Sequence, residues 1–460
     1  MKKYFMVLPL LLAAAAGLLV WQRELWFDEA LTLTNFMLPL KLEEIYFNYT
    51  IPNNQIVYTM LLKVWDMVYL GYIDIIAHWR LLSLVCALLA WCVVLSLRYK
   101  LDEKRVYAAV LTVSAVSVSA VFMNYATALR GYGASWLWIA LALAGLYNIC
   151  CKYRFAGWLL YFAAAVLAVG TVPTNVLALA AAACYAVPWM MEKFWKDWRF
   201  YMVFAVIMLA MIVFYTPILP QLAAAAQLGE GFSSRMGAAA VTLGMYVACF
   251  GLLLFFAVLP GGIKPRGYYV RYLAWVLPLG AIFVLHRAPF PRVFVTMLPV
   301  LVMLVADGID ALTREKWSNF QKTVFYLTIL SAQILLIPGG YLAAEKLKFS
   351  RYEDDFFHPW YMLPRYKVTD SVELLRTQYP GREVFLSFNA DPVPVLFYAA
   401  VNNVKRKFFA DVPYRSVKEL HKGSLLFLRK KEDTYALEKR FNGKLKKVAE
   451  TSSHDIYELD

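Results

Sequence analysis

The sequence predicts a polytopic α-helical membrane protein that ends in a small α/β domain outside the membrane. The chain has 460 residues, of which 61% are hydrophobic and only 17% are charged, a composition that is unusual for a soluble protein. Its apolar residues form blocks close to the ~20 residues that a helix needs to cross a hydrocarbon core about 30 Å thick. After residue 342, charged residues and short alternating elements replace these blocks.

We predict about eleven membrane-spanning helices, because backbone groups in lipid must pair internally and a helix achieves this within one segment. Their approximate bounds are 5–21, 78–98, 105–124, 133–151, 155–170, 173–191, 200–218, 238–259, 270–286, 293–310 and 323–342. The first segment also fits a signal peptide with a cleavage site in "AAAA". Its apolar run is long enough to span, so we expect an uncleaved first helix.

Basic residues indicate how the helices are oriented, because Lys and Arg accumulate in cytoplasmic loops. One set of alternate loops holds Lys2, Lys3, Arg98, Lys100, Lys104, Arg105, Lys152, Arg154, Lys193, Lys196, Arg199, Lys264, Arg266, Arg314, Lys316 and Lys322. The other loops then face outward: 22–77, 124–132, 171–174, 219–237, 287–292 and everything after 342. The formal net charge of +14 is spread over many short loops rather than gathered in a patch, so nucleic acid is not an expected partner.

We predict two domains, a transmembrane domain at 1–344 and an extracytoplasmic α/β domain at 345–460. The first outer loop, 22–77, contains interfacial helices. In its stretch "QIVYTMLLKVWDMVYL" the polar residues Gln55, Thr59, Lys63 and Asp66 recur every three or four positions and form one narrow stripe. A helix of this kind lies along a membrane surface. A short additional span is the alternative, with Lys63 and Asp66 paired.

The region after residue 345 alternates between helical and strand patterns, which favours an α/β domain. The stretches "SVELLRTQY", "DPVPVLFYAA" and "DTYALEKRF" have helical patterns. The stretches "REVFLSF", "SLLFLRK", "KLKKVAE" and "HDIYEL" have strand patterns.

The candidate chemical groups gather in the predicted outer segments. Asp28 and Glu29 follow the first span, and the other candidates are Arg80, Arg130, Tyr132, His286, Arg287 and Arg292. Carboxylates can activate a hydroxyl, and the planar arginine fork binds two oxygens of a phosphate. Ionisable residues are almost absent from the apolar runs and the exceptions cluster at their outer ends, which argues against a proton-coupled transporter.

Four stretches carry a family resemblance: "WFDEALT", "HWRLLSLVCALLAW", "NYATALRGYGASWLWIALAL" and "RVFVTMLPVLVMLVADGI". With the surface helix they cover most of residues 1–310, and they resemble the GT-C superfamily of glycosyltransferases. This superfamily includes protein O-mannosyltransferases, aminoarabinose transferases acting on lipid A, and galacturonosyl transferases. The chain departs from relatives at "YTIPNNQ", where a His-Pro-Pro-like stretch is common, and at Thr174 and Asn175, where a histidine often lies.

The resemblance implies a multi-pass enzyme of the cell membrane, which in bacteria is the inner membrane. The enzyme works at the outer face of that membrane. Its donor is a sugar on a polyprenyl phosphate, and its acceptor is a hydroxyl of an envelope lipid, polymer or protein. The transfer inverts the configuration at the anomeric carbon of the sugar. Asp28 is then the candidate general base, and Glu29 orients the acceptor or shares that task. The arginines, with Tyr132 and His286, bind substrate and stabilise the departing lipid phosphate.

Each candidate also has a structural interpretation. Asp28 and Glu29 suit a solvated charge pair or a helix cap, Arg80 and Arg130 suit interfacial anchors, and His286 suits a structural role. The acidic stretch "YEDDFF" offers a site for a divalent cation, but a hydrated turn is the favoured interpretation, so no cofactor is expected. A non-enzymatic transporter or flippase of lipid-linked saccharides explains the helices and arginines but not the placement of Asp28 and Glu29.

Overall fold

The computed structural model describes most of the chain and divides it into two compact units. One unit comprises Met1–Gln22 and Leu40–Phe357, and the other comprises Arg23–Pro39 and His358–Asp460. The described residues are 6–21, 23–48, 54–103, 106–152, 155–190, 198–228, 234–251, 253–254, 268–285, 289–313, 317–346, 367–382, 384–386, 392–400, 414–415, 422–429 and 445–460.

The helices between Val7 and Lys346 are numbered in chain order. They are α1 (Val7–Val20), α2 (Phe27–Thr32), α3 (Leu42–Phe47), α4 (Ile56–Asp66), α5 (Ile75–Leu101), α6 (Val106–Ser117), α7 (Ala120–Ala126), α8 (Tyr132–Lys152), α9 (Phe155–Thr171), α10 (Asn175–Met190), α11 (Trp198–Tyr215), α12 (Leu219–Leu228), α13 (Arg235–Phe250), α14 (Leu273–Val284), α15 (Leu298–Thr313) and α16 (Asn319–Lys346). A π-helical turn (Leu33–Met37) continues α2, and 3-10 turns lie at Thr216–Ile218, Tyr268–Tyr272 and Pro291–Met297.

The long apolar helices of the first unit are those of a membrane protein. Within the described residues, Ile75–Leu101, Tyr132–Lys152 and Pro291–Ala311 are long and apolar enough to cross a membrane. Helices α6 and α7 pass the same test together but are bent by 77° at their junction. Shorter apolar helices lie at Val7–Val20, Phe155–Thr171, Asn175–Trp189, Ala205–Gln221, Arg235–Phe250 and Val270–Val284, within or overlapping other predicted spans. The total of eleven spans stays a prediction.

Glycines allow the central helices of this unit to pack closely. A Cβ atom at Gly145 of α8 would lie 2.8 Å from the backbone nitrogen of Tyr161 in α9. A Cβ atom at Gly157 of α9 would lie 2.9 Å from the Cβ of Asn148 in α8. Small residues at helix interfaces are typical of membrane proteins, where van der Waals packing drives helix association.

Large aromatic rings fill the core beside these glycines. Trp91 of α5, Phe122 of α7 and Trp136 of α8 stack on one another with centroid separations of 5.8, 6.2 and 5.5 Å. All three side chains are buried. Such offset stacks add to the stabilisation that burial of their area already provides.

A buried ionic cluster joins four segments of the first unit. Asp307 of α15 accepts hydrogen bonds from Arg98 of α5, from Arg271 at 2.8 Å and from the Tyr185 hydroxyl of α10 at 2.9 Å. The Arg271 guanidinium also lies over the Tyr185 ring, 4.3 Å from its centroid, and its Nε donates to the Tyr185 carbonyl oxygen at 2.8 Å. Every member of the cluster is buried.

This cluster corrects the prediction that ionisable residues of the apolar runs gather only at the outer ends. Arg98 lies in the last turn of α5, and Asp307 lies in the second half of α15, at ends that the loop charges predict to be cytoplasmic. The cluster was not predictable from the sequence, because its members are far apart in the chain. A buried carboxylate is tolerated where guanidiniums pair with it.

The described part of the second unit contains α2, two further helices and a five-stranded sheet. The helices are α17 (Val368–Gln378) and α18 (Pro392–Ala400). The strands are β1 (Val384–Leu386), β2 (Tyr414–Arg415), β3 (Leu425–Arg429), β4 (Leu445–Glu450) and β5 (His454–Leu459), in the order β2-β1-β3-β5-β4. Strand β1 pairs in parallel with β2 and β3, whereas β5 pairs antiparallel with β3 and β4.

Most of these elements lie where the sequence predicts helices and strands after residue 345. The predicted helix in "DTYALEKRF" lies outside the described residues, and β2 was not predicted.

A buried polar cluster fastens α17 to the β4–β5 hairpin: Ser371 contacts Ser453 at 2.9 Å, and the Ser453 hydroxyl contacts Nδ1 of His454 at 2.8 Å. The His454 ring stacks on Phe427 of β3 at 4.2 Å. That the α/β domain is extracytoplasmic stays a prediction.

We expect Asp307→Asn to destabilise the protein strongly, because two buried guanidiniums would lose the carboxylate that they share. Removing one partner of a buried ion pair costs roughly 3–5 kcal/mol, which for a chain of this length corresponds to a fall in unfolding temperature of about 3–5 °C. Thermal unfolding of the detergent-purified protein, followed by tryptophan fluorescence, measures this shift. Asp370→Asn, an exposed carboxylate in the first turn of α17, is the control and should leave the temperature nearly unchanged. Equal unfolding temperatures for the two variants would contradict the stabilising role of the cluster.

Candidate active site

The two candidate carboxylates lie in the first turn of α2. Trp26 precedes this helix in extended conformation, and Asp28 and Glu29 are its acidic first-turn residues. Negative charge at a helix N-terminus is favourable, because the unpaired N–H groups and the helix dipole are positive there. The backbone N–H of Trp26 donates to Oε2 of Glu29 at 3.2 Å, and the Thr32 hydroxyl donates to the Asp28 carbonyl oxygen at 2.9 Å.

Burial separates the two adjacent carboxylates. Glu29 is fully buried, and its Oε1 accepts a hydrogen bond from Nη2 of the buried Arg23 at 3.3 Å. The Arg23 guanidinium lies over the Trp26 ring, 4.9 Å from its centroid. Asp28 is only partly buried. Glu29 therefore caps the helix and pairs with Arg23, whereas Asp28 is the more accessible of the two carboxylates.

The segment that carries Asp28 is held by the C-terminal region of the same unit. The backbone N–H of Leu25 donates to the Tyr398 hydroxyl of α18 at 2.9 Å, and Thr369 of α17 donates to Glu24 at 2.8 Å. Helix α18 also packs against α2. The sequence did not reveal this association, because more than 300 residues separate the partners of each hydrogen bond.

In the first unit, hydrogen bonds from α4 and α5 fix the loop that carries Arg130. The Ser83 hydroxyl donates to the Ala128 carbonyl oxygen at 2.6 Å, and the Tyr58 hydroxyl lies 2.6 Å from the Ser83 oxygen. The Gln55 side-chain oxygen accepts a hydrogen bond from the Gly131 backbone N–H. Tyr58, Ser83 and Gln55 are buried. The backbone on both sides of Arg130 is therefore held by other segments.

These contacts place the polar stripe of α4 against the protein. Gln55, Thr59 and Asp66 are buried, and Asp66 accepts a hydrogen bond from the Trp79 indole of α5 at 2.8 Å. The exposed side chains at this helix include Val64 and Met67, with 48% and 69% of their surface accessible. The polar stripe faces the protein because its partners lie on α5 and on the Arg130 loop, and the exposed face is apolar, as at a lipid surface.

Arg130 and Tyr132 are both buried beside this loop. Arg130 is 5% exposed and Tyr132 is 2% exposed. The Tyr132 ring packs edge-on against Tyr125 of α7 at 4.7 Å. A Cβ atom at Gly133 would overlap with the Ser83 carbonyl oxygen. Only glycine therefore allows α8 to begin this close to α5.

Arg80 is fully buried and supports the end of the first helix. It lies in the second turn of α5, where its Nη1 donates to the Trp21 carbonyl oxygen at 3.0 Å. A guanidinium suits this position, because the C-terminal carbonyl groups of α1 have no partner within the helix. This contact is structural but buried, so Arg80 is not the interfacial anchor of the structural interpretation, and binding of substrate by this residue stays a prediction.

Arg292 lies in the 3-10 turn before α15. It is half-buried, and its guanidinium lies over the Phe290 ring at 4.9 Å. The Trp136 indole of α8 donates to the Val295 carbonyl oxygen of the same turn at 2.8 Å, so the Arg292 turn is attached to the helix that follows Arg130. His286 and Arg287 lie outside the described residues.

The structure thus connects the segments of Arg80, Arg130, Tyr132 and Arg292 through α5 and α8 of the first unit. Asp28 and Glu29 belong to the second unit. Four supporting residues were not predicted: Arg23, Tyr58, Ser83 and the buried Gln55.

Among the residues that the structure describes, no group of three or more His, Cys, Asp or Glu side chains is arranged to hold a metal ion. The acidic stretch 353–355 lies outside them.

We expect Glu29→Gln to destabilise the protein more than Asp28→Asn does. Loss of the Glu29 charge breaks the buried ion pair between Glu29 and Arg23, and removing one partner of such a pair costs roughly 3–5 kcal/mol. The Asp28 carboxylate is only partly buried, so its charge is better solvated, and its favourable interaction with the helix end is worth about 1 kcal/mol at most. Thermal unfolding of the two purified variants provides the comparison. Equal shifts would show that burial does not give the two carboxylates different roles.

We also expect Gly133→Ala to be unfavourable, because its methyl group would displace α8 from α5 near the Arg130 loop. Overpacking of this kind typically costs about 1–3 kcal/mol. The control is Gly280→Ala in α14, where no atom lies within 4 Å of the added Cβ and the helix gains a better helix former. Lower thermal stability for the first variant and an unchanged or higher value for the second is the expected result. A Gly133→Ala protein as stable as the wild type would contradict the close helix contact.

One comparison with known proteins gave a match. No protein-family model matches the chain, and no curated protein matches it. The solved apo-state crystal structure of ArnT from Cupriavidus metallidurans has a TM-score of 0.52 to this structure at 12% sequence identity, and the alignment covers 97% of each chain. At this identity the likeness concerns the fold. The chain has the fold of ArnT, so the fold that the sequence resemblance predicts is confirmed.

Proposed function

We propose that this protein is an integral membrane glycosyltransferase of the GT-C type. It transfers a sugar from a polyprenyl phosphate to a hydroxyl group of an envelope acceptor, which is a lipid, a polymer or a protein. The observation that carries the proposal is the likeness to ArnT, an aminoarabinose transferase, over 97% of both chains. The reaction takes place at the outer face of the cell membrane, which in bacteria is the inner membrane. It needs no cofactor.

The proposed reaction is a single displacement. The acceptor oxygen forms a bond to the anomeric carbon of the sugar while the bond from that carbon to the lipid phosphate breaks. The phosphate leaves with the bonding electrons, and the configuration at the anomeric carbon inverts. The acceptor hydroxyl loses its proton to a carboxylate, a step for which general base catalysis typically contributes a factor of about 10²–10⁴ in rate.

Asp28 is the better candidate for the general base than Glu29. Glu29 is fully buried and its two oxygens accept hydrogen bonds from Arg23 and from the Trp26 backbone. Asp28 is the next residue toward the N-terminus on the same helical turn but is only partly buried. In this proposal Glu29 acts as a positioning residue, because the cap that it forms sets the direction of the first turn of α2.

Guanidiniums bind the departing phosphate in the proposed mechanism. Arg130 is the main candidate, because hydrogen bonds to Ala128 and Gly131 fix its backbone before any substrate arrives. Fixed cationic groups stabilise developing negative charge without reorganisation during the reaction. The other proposed ligands of the substrate are Arg292, Tyr132, His286 and Arg287. Arg80 contributes to the site indirectly, because it supports the end of α1.

The C-terminal region has a proposed role in presenting the base. The hydrogen bonds from Leu25 to Tyr398 and from Thr369 to Glu24 restrain the segment just before Asp28. Helix α18 packs against α2 itself. In this proposal the extracytoplasmic domain of residues 345–460 positions the catalytic carboxylate and contributes to acceptor binding.

We expect Asp28→Asn to abolish product formation in cells while the protein is still made and inserted. Asparagine keeps the size of the side chain but does not accept the acceptor proton. Mass spectrometry of envelope glycans should find a sugar substituent in wild-type cells that is absent from cells lacking the gene. That substituent should return with the wild-type gene and with Glu43→Gln, the control, which changes an exposed carboxylate in α3. It should not return with Asp28→Asn.

Restoration of the substituent by Asp28→Asn at normal expression would contradict the proposed base. An identical glycan profile with and without the gene, together with movement of lipid-linked saccharide between leaflets, would instead support the flippase alternative. Immunoblots of membrane fractions establish that each variant is present at the wild-type level.

A further inference from the structure

A groove on the first unit lies between α5, α8 and α9 and is not used by the proposed reaction. Its volume is about 280 Å³, and one face of α5 forms its longest wall. The α5 residues in this wall recur at helical spacing: Leu89, Cys92, Val93, Ser96, Leu97 and Lys100. Eleven residue steps of an α-helix, from Leu89 to Lys100, correspond to about 16 Å. This length is about half of a hydrocarbon core that is ~30 Å thick, which matches the thickness of one leaflet.

The groove is apolar at one end and polar at the other. Leu89, Cys92 and Val93 of α5 face Leu141 and Ala144 of α8 in the apolar part. Ser96 and Lys100 share the other end with Tyr147 and Asn148, which lie near the C-terminus of α8. A wall of this composition matches a lipid molecule, which has an acyl chain at one end and a polar headgroup at the other.

Three polar groups at that end are open to a ligand. The Lys100 ammonium, the Ser96 hydroxyl and the Asn148 amide form no ion pair or side-chain hydrogen bond with any residue that the structure describes. Lys100 and Ser96 are exposed, and Asn148 is half-buried. Tyr147 holds this end together, because its hydroxyl donates to the Lys100 carbonyl oxygen at 3.2 Å. An ammonium, a hydroxyl and an amide can all donate hydrogen bonds to phosphate oxygens.

The polar end also lies at the membrane face that fits an anionic headgroup. Lys100 is in the last turn of α5, on the side that the loop charges predict to be cytoplasmic. Anionic lipids are attracted to basic residues at this face, and basic pockets between transmembrane helices bind their headgroups. A cation close to the end of an apolar wall supplies the charge that complements a phosphodiester.

We infer that this groove binds one anionic phospholipid of the cytoplasmic leaflet. An acyl chain lies along Leu89, Val93 and Ala144, and the phosphate accepts hydrogen bonds from Lys100, Ser96 and Asn148. The inference does not depend on the proposed glycosyl transfer, because the groove is at the opposite end of the helices from the loop of Arg130. Such a lipid would hold α5, α8 and α9 together where two of these helices end.

Native mass spectrometry tests this inference on the full-length protein. The protein is reconstituted into nanodiscs of phosphatidylglycerol and phosphatidylcholine in equal amounts and released in mild detergent. Wild-type protein should retain one phosphatidylglycerol in preference to phosphatidylcholine. Lys100→Ala should lower the retained fraction at least fivefold, and Lys322→Ala, a lysine at the same predicted face that does not line the groove, should not.

A second variant tests the apolar part independently of charge. Ala144→Phe fills the groove and should also prevent retention, whereas Leu159→Phe, which enlarges a lipid-exposed residue outside the groove lining, should not. Equal retention of the two phospholipids, equal behaviour of the two lysine variants, or normal retention by Ala144→Phe would overturn the inference. Displacement of phosphatidylglycerol by an equal amount of polyprenyl phosphate would overturn it as well, since the groove would then be a site for the donor lipid.

Discussion

The buried hydrogen bonds that join α4, α5 and the loop before α8 are the constraint on which the candidate phosphate site depends. Tyr58, Ser83 and Gln55 hold the backbone on both sides of Arg130, and each lies on a helix that is itself fixed in the core. In an apolar interior an unpaired backbone group is costly, so this loop has one strongly favoured position. A guanidinium on such a loop is placed before substrate binds, which is the property that electrostatic catalysis requires.

Burial gives neighbouring charged residues different roles throughout this chain. Glu29 stabilises α2 and Arg23, and the adjacent Asp28 is left more accessible. Asp307 joins Arg98 and Arg271 in the core, whereas Lys100, two residues after Arg98, is exposed at the groove between α5, α8 and α9. In both pairs, the buried member stabilises the fold and the other member is more accessible.

Local patterns were sufficient to predict most helices and the strands β1, β3, β4 and β5, and the family resemblance predicted the fold of the first unit. Apolar runs and caps such as Asp74, whose side chain accepts the N–H groups of Ile76 and Ala77, act within a few residues of the chain. The supporting contacts of the site were not predictable, because they join residues far apart in sequence. Gln55 is one example: its spacing placed it in a polar stripe of a surface helix but did not indicate its partner, the Gly131 backbone 76 residues later. The attachment of the Asp28 segment to Tyr398 has the same origin, because no local pattern contains both partners.

The most direct measurement of the central claim is a transfer assay with purified protein in liposomes that contain lipid-linked sugars extracted from the same cells. If the protein is a glycosyltransferase, one polyprenyl phosphate will be released for each acceptor glycosylated, and the new linkage will have the inverted anomeric configuration. Lipid-linked sugar that changes leaflets while its phosphate–sugar bond stays intact, with no glycosylated acceptor formed, would contradict the claim.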